Sequence, residues 1–147
     1  MLPLWVYAPT KQDRSSTIFQ TGKDNHRAHR PTMHWTILIK SHPDAHGNPV
    51  LQGLRVAAAA CADGVEISLF LAEEAALLAL HTEALSERQR VHHDLMAEIQ
   101  ELGVAIHVIG FEWLQEANGQ TLRPGIQIAS MKTLVRQMKL SDQVITL

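Results

Sequence analysis

The chain has 147 residues, with 13 Lys and Arg against 15 Asp and Glu and a formal net charge of −2. That length suits one domain around one core. No apolar run approaches the roughly 18 to 20 residues that cross a bilayer, so no membrane partner is expected.

The charge is unevenly placed. Residues 1–32 carry Lys11, Arg14, Lys23, Arg27 and Arg30 against Asp13 and Asp24, and the rest of the chain is acidic. An acidic body argues against a nucleic-acid-binding domain. The opening Met1 to Tyr7 is apolar but lacks a basic n-region and a small-residue cleavage site, which makes it a poor signal peptide. Cys61 is the sole cysteine, so no internal disulfide can form, and a reducing cytoplasm is the expected compartment.

Residues 1–32 show neither helical nor strand periodicity and are expected to form a flexible N-terminal extension ahead of a domain at 33–147. Trp35 to Ile39 is a β-branched apolar run of the kind buried on both faces of a sheet. A polar loop follows, and Asn48-Pro49 reads as the N-cap and first residue of a helix reaching about Ala62. Its predicted stripe is Leu51, Leu54, Ala58 and Cys61, and Gly64 is its expected terminator. Val65 to Leu71 is the second strand, and Glu73 to Leu80 is a short helix. Ser86, with Gln89 three residues on, caps a long helix whose predicted stripe is Val91, Leu95, Ile99 and Leu102. Val104 to Ile109 is the third strand, leading into a short helix or turn. Ile126 to Ile128 is the fourth, Ser130 caps a helix to about Leu140, and Gln143 to Leu147 is the last strand. Strands alternating with helices imply right-handed crossovers. The predicted fold is therefore α/β, a three-layer α/β/α arrangement around a mostly parallel five-stranded sheet.

In such a sheet, ligands gather at the carboxyl ends of the strands. The residues expected there are Ser41, His42, His46 and Asn48 after the first strand, and Gly110, Phe111, Glu112 and Trp113 after the third. Lys40 to Asn48 lacks the hydroxyl- and glycine-rich loop of a flavodoxin, and no P-loop or dinucleotide fingerprint occurs, so no cofactor is expected. His42, Asp44 and His46 suit a divalent ion by residue type, but no Cys or third nearby His completes a tetrahedral set. A solvated loop is the expectation, with no metal.

Glu112 lies between Phe111 and Trp113, where partial desolvation would raise its pKa. Paired with a loop histidine, it would suit acid–base chemistry. Against that stands an exposed carboxylate in a first helical turn. Cys61 sits near the C-terminal end of a helix on its core-facing stripe, which suits packing rather than nucleophilic work. His92 and His93 are expected on the polar side of their helix as solvated or interface residues, and His107 inside a strand as a hydrogen-bonded sheet histidine.

From about Met33 to Leu147 the chain resembles the DsrE/DsrF-like sulfur-relay family, including its TusD-type subunits. The resemblance is carried by Ile37-Leu38-Ile39-Lys40-Ser41 before a polar loop and an Ala-rich helix, and by Ile67 to Leu71 leading into Glu73-Glu74-Ala75. It continues in Glu101-Leu102-Gly103-Val104, in Gly125 to Ser130 followed by Met131-Lys132-Thr133-Leu134-Val135, and in the closing Asp142 to Thr146. It implies a three-layer domain, assembly into homotrimers or homohexamers, and a role in cytoplasmic sulfur transfer with sulfur-relay partners. Active members carry a persulfide-forming cysteine just after the third strand, often as Cys-Gly-x-Cys. Here Ile109-Gly110-Phe111-Glu112 stands in that place, and a carboxylate cannot replace a sulfur nucleophile.

The expectation is a non-catalytic DsrE-like oligomeric module that binds a partner or small ligand in intracellular sulfur metabolism. The alternatives are an enzyme using Glu112 with loop histidines, metal-assisted, or a sulfur carrier through Cys61. The Glu73–Leu80 helix, apolar almost all round, is expected in or near the subunit interface.

Overall fold

The computed structural model describes residues 32–81, 85–112 and 121–147. Five strands, β1 (His34–Ile39), β2 (Glu66–Leu71), β3 (Ala105–Ile109), β4 (Ile126–Ala129) and β5 (Gln143–Thr146), form one sheet in the order β4-β3-β2-β1-β5. Every pairing within it is parallel. The helices are α1 (Pro49–Ala62), a 3-10 helix (Glu73–Ala79), α2 (Glu87–Glu101) and α3 (Met131–Leu140). The predicted element order and fold class hold, with strand limits within a residue or two. The expected N-terminal extension lies outside the described residues but for Thr32.

Alternation along the strands divides the core in two. Ile37, Ile39, Leu69, Leu71, Ile106 and Val108 point to one face, where they meet Val50, Leu54 and Ala57 of α1 and Met96 and Ile99 of α2. Leu38 and Phe70 point to the other, where Leu134 and Met138 of α3 cover them. The chain steps from β1 through β2 and β3 to β4 in one direction, then returns past all three through α3 to β5. Right-handed crossovers in opposite directions must use opposite faces, which puts α3 across the sheet from α1 and α2.

Both predicted helix stripes are displaced by one position. In α1 the buried residues are Val50, Gly53, Leu54, Ala57 and Ala60, while Leu51, Ala58 and Cys61 are half-buried. The shift brings small residues onto the sheet, where α1 must lie close. A Cβ on Gly53 would come within 2.9 Å of Ile39 Cδ1. In α2 the buried residues are His92, Met96 and Ile99, and Val91 and Leu102 are exposed. Asn48 is not an N-cap by side-chain bonding: it holds φ 53, and its side chain makes no capping bond. The Ser86–Gln89 capping box on α2 forms as predicted, with bonds of 2.8 and 3.2 Å.

The segment from Glu73 differs most. It is a 3-10 helix, and its own chain covers it: Ala75, Ala76, Leu78, Ala79 and Leu80 are buried in the main core. Arg123 N–H donates to the Ala79 carbonyl and His81 N–H to the Thr121 carbonyl, each at 2.8 Å, flanking an antiparallel bridge between Leu80 and Leu122. No second subunit is needed to bury this helix, so the physical reason for placing it at an interface falls away. Leu78 is only 4% exposed. Leu78→Ala is therefore expected to lower unfolding stability by about 2–4 kcal/mol. Urea denaturation at two protein concentrations is the check. A loss under 1 kcal/mol, or one that vanishes at high concentration, would return this helix to the surface.

Candidate functional site

The carboxyl ends of β1, β2 and β3 lie along one edge of the sheet, and each leads into a sharp change of direction. After β3, Gly110 holds φ 82, a left-handed conformation that glycine adopts without steric penalty. After β2, Glu73 holds φ 52, which is uncommon for a residue with a side chain. After β1, the loop closes through Ala45 N–H to the His42 carbonyl at 2.9 Å and Asn48 N–H to the Ala45 carbonyl at 3.2 Å.

The sequence-predicted residues share this edge, at the ends of two strands that are not neighbours. Ser41, His42 and Asn48 are half-buried, while His46, Gly110 and Glu112 are exposed. β2 lies between β1 and β3, so the two groups stand two strand spacings apart, roughly 10 Å. Phe111 turns inward and is 2% exposed, as part of the main core. It cannot line an open pocket or desolvate its neighbour, and Glu112 is left in water. Trp113 lies outside the described residues.

His42 is occupied within its own loop. Its Nδ1 accepts the Asp44 N–H at 3.0 Å, which leaves any ring proton on Nε2. The Asp44 carboxylate faces α2, where Oδ1 lies 3.9 Å from Arg88 Nε. That separation, with both groups well exposed, makes a weak ion pair. Among the described residues, no group of three or more His, Cys, Asp or Glu is arranged to hold a metal ion.

One residue at this edge was missed. His92 lies one turn beyond Arg88 on α2, is 2% exposed, and its buried Nδ1 has no hydrogen-bond partner among the described residues. Its pKa is lowered by burial first and by Arg88 second, with Asp44 opposing. His93 is pushed down to about 4, chiefly by burial and then by Arg123. The expectation that both histidines lie on the polar side of α2, solvated or at an interface, is thus reversed for His92 and half reversed for His93. The available signal was the spacing His92, Met96, Ile99, which is as helical as the stripe preferred on apolarity alone. His107 is half-buried with a burial-lowered pKa, and its ring stacks on Phe70 at 4.7 Å between centroids.

Cys61 is far from this edge. The helix α1 begins beside the carboxyl edge at Pro49 and runs against the strands, so Cys61, twelve residues on, is displaced by roughly 18 Å toward the amino edge. Its Sγ lies 3.8 Å from the Leu102 carbonyl at the far end of α2.

No family model matches the chain, and no curated protein does. Among solved structures, the crystal structure of the YchN protein from E. coli is similar, with a TM-score of 0.67 at 17% identity, over 79% of this chain and 100% of that one. YchN has a DsrE-like fold. At that identity the likeness is one of fold. It agrees with the architecture that the family resemblance implies.

The histidine shifts set a pH dependence. His92, His93 and His107 all bind a proton less readily folded than unfolded, where 6.5 is the ordinary value. The unfolded chain therefore takes up protons first as pH falls, and stability drops from about pH 6.5 toward pH 4. The urea midpoint is expected to be lower at pH 5 than at pH 7, and His93→Gln is expected to shrink that difference. An unchanged difference would remove His93 from the account.

Proposed function

We propose that this chain is a non-catalytic, oligomeric binding module of intracellular sulfur metabolism, and that its carboxyl sheet edge receives a partner or small ligand. The observation that carries the proposal is the position of sulfur. The stretch after β3, where a persulfide cysteine would stand, is Ile109-Gly110-Phe111-Glu112, and the sole thiol lies toward the opposite edge. A persulfide must be handed over by direct attack of one sulfur on another, so the thiol's distance from the ligand edge weighs against a carrier role. The exposure of Glu112 and its separation from the loop histidines weigh against the acid–base alternative. The DsrE-like fold and the family resemblance are what connect the chain to sulfur metabolism.

Mass spectrometry after incubation with a persulfide donor tests this reading. The native protein is expected to gain no transferable sulfur, and Cys61→Ala is expected to behave like the parent, apart from about 1 kcal/mol of stability lost to a small cavity. Rapid sulfur loading at Cys61 and its passage to an acceptor thiol would overturn it.

The oligomer, a homotrimer or homohexamer, is supported by apolar surface on and beside α3. Met131 and Leu140 are 59% and 66% exposed, and Val135 and Val144 are also exposed. Met131 and Val135 stand one turn apart on the same side of α3, and adjoining exposed apolar residues are a common mark of an interface. Light scattering after size exclusion is expected to give three or six times the chain mass of 16.4 kDa, and Val135→Asp with Leu140→Asp to reduce it. A single-chain mass that persists at high concentration would dismiss the assembly.

A further inference from the structure

A second cluster, around the Leu80–Leu122 bridge and α2, plays no part in that reading. Around the Leu80–Leu122 bridge the two segments run antiparallel. Side chains alternate on such a ribbon, so Leu80 and Leu122 share one side while His81 and Arg123 share the other. The Arg123 side chain then reaches α2, where Nη1 lies 3.9 Å from Met96 Sδ. His93 precedes Met96 by three residues and occupies the same helix face, beside the guanidinium.

The bridge thus sets Arg123 and His81 on one side of the ribbon, and Arg123 meets α2 at Met96, one turn from His93. Arg123 is half-buried, and burial lowers its pKa. After burial, the largest influence on His93 is Arg123, followed by His92, with Asp94 opposing and His81 adding to the lowering. No carboxylate among the described residues lies within ion-pair distance of Arg123. A partly desolvated cation among further nitrogen donors is unfavourable unless an anion compensates it. The guanidinium is weakly hydrated, always charged and shaped to hold two oxygens at once. His93, neutral at pH 7, can add one N–H donor. The exposed His81 leaves the cluster open to solvent.

We propose that Arg123, His93 and His81 form an oxyanion site on the flank of α2, taking a tetrahedral anion of the phosphate or sulfate type. Arg123 supplies the charge and the bidentate contact, and the histidines fix the remaining oxygens. Met96 closes the floor, since it is fully buried.

Calorimetric and thermal-shift titrations of the full chain at pH 7 and constant ionic strength test the site, with inorganic phosphate, sulfate and a phosphate monoester as probes. Phosphate or sulfate is expected to give a saturable calorimetric isotherm and to raise the melting temperature with the logarithm of its concentration above Kd, while chloride does neither. Arg123→Gln is expected to weaken binding at least tenfold. Arg136→Gln, which removes the same charge from an exposed position on α3, is expected to leave it unchanged. Tighter binding of the monoester would identify the anion as part of a larger ligand, and equal binding a free ion. If Arg123→Gln does not fold, His81→Gln decides, with an expected loss of several-fold. A calorimetric isotherm without saturation, or one unaltered in these variants, would overturn the proposal.

Discussion

β1 and β2 are adjacent parallel strands that carry buried apolar residues on both faces, and no single helical layer can cover both. That constraint sets the rest of the fold. Parallel neighbours need crossovers, and one direction of travel keeps its right-handed crossovers on one face. Covering the second face requires the chain to reverse direction along the sheet. It does so after β4, and α3 carries it back over Leu38 and Phe70 to the free side of β1. There Leu147 N–H donates to the Leu38 carbonyl at 2.9 Å, and Lys40 N–H to the Leu147 carbonyl at 2.7 Å.

The same constraint explains why the fold was legible in the chain. Trp35 to Ile39 and Ile67 to Leu71 are apolar runs broken only by Thr36 and Ser68, close to the pattern that doubly buried strands require. Punctuation at Gly64, Gly103 and Ser86 then fixed the helix ends. Helix rotation was less legible. The ideal stripe through Leu51 and Leu54 ranks positions by apolarity, but close packing of α1 on the sheet favours Gly53 and Ala57, whose small size is the advantage. The 3-10 helix failed for a related reason. Apolarity all round was a correct sign of burial, but the sequence does not reveal that residues 121–123 return to pair with 79–81.

The candidate site was legible only as an edge. The rule that ligands gather at carboxyl strand ends located Ser41 to Asn48 and Gly110 to Glu112 without fixing their separation, because strand order was not determined by the pattern. β2 lies between the two strands that carry them, and the first loop reaches α2 through Asp44 and Arg88. His92 escaped notice because a helical wheel scores imidazole as polar. A neutral imidazole, however, packs much as an aromatic ring does, and only its nitrogens need partners.

Chain direction then separates two chemistries. Because α1 and α2 run against the strands, their first turns lie at the carboxyl edge and their last turns at the amino edge. Arg88 and His92 are early in α2 and fall beside Asp44, whereas Cys61 is late in α1 and falls beside Leu102. A thiol on that side cannot meet a ligand held at the carboxyl edge without a rearrangement of α1, whose Val50, Leu54 and Ala57 are fully buried against the sheet. Nitrogen, oxygen and backbone groups are what the carboxyl edge offers among the described residues. Recognition by hydrogen bonding and charge is the chemistry that such a set of groups supports.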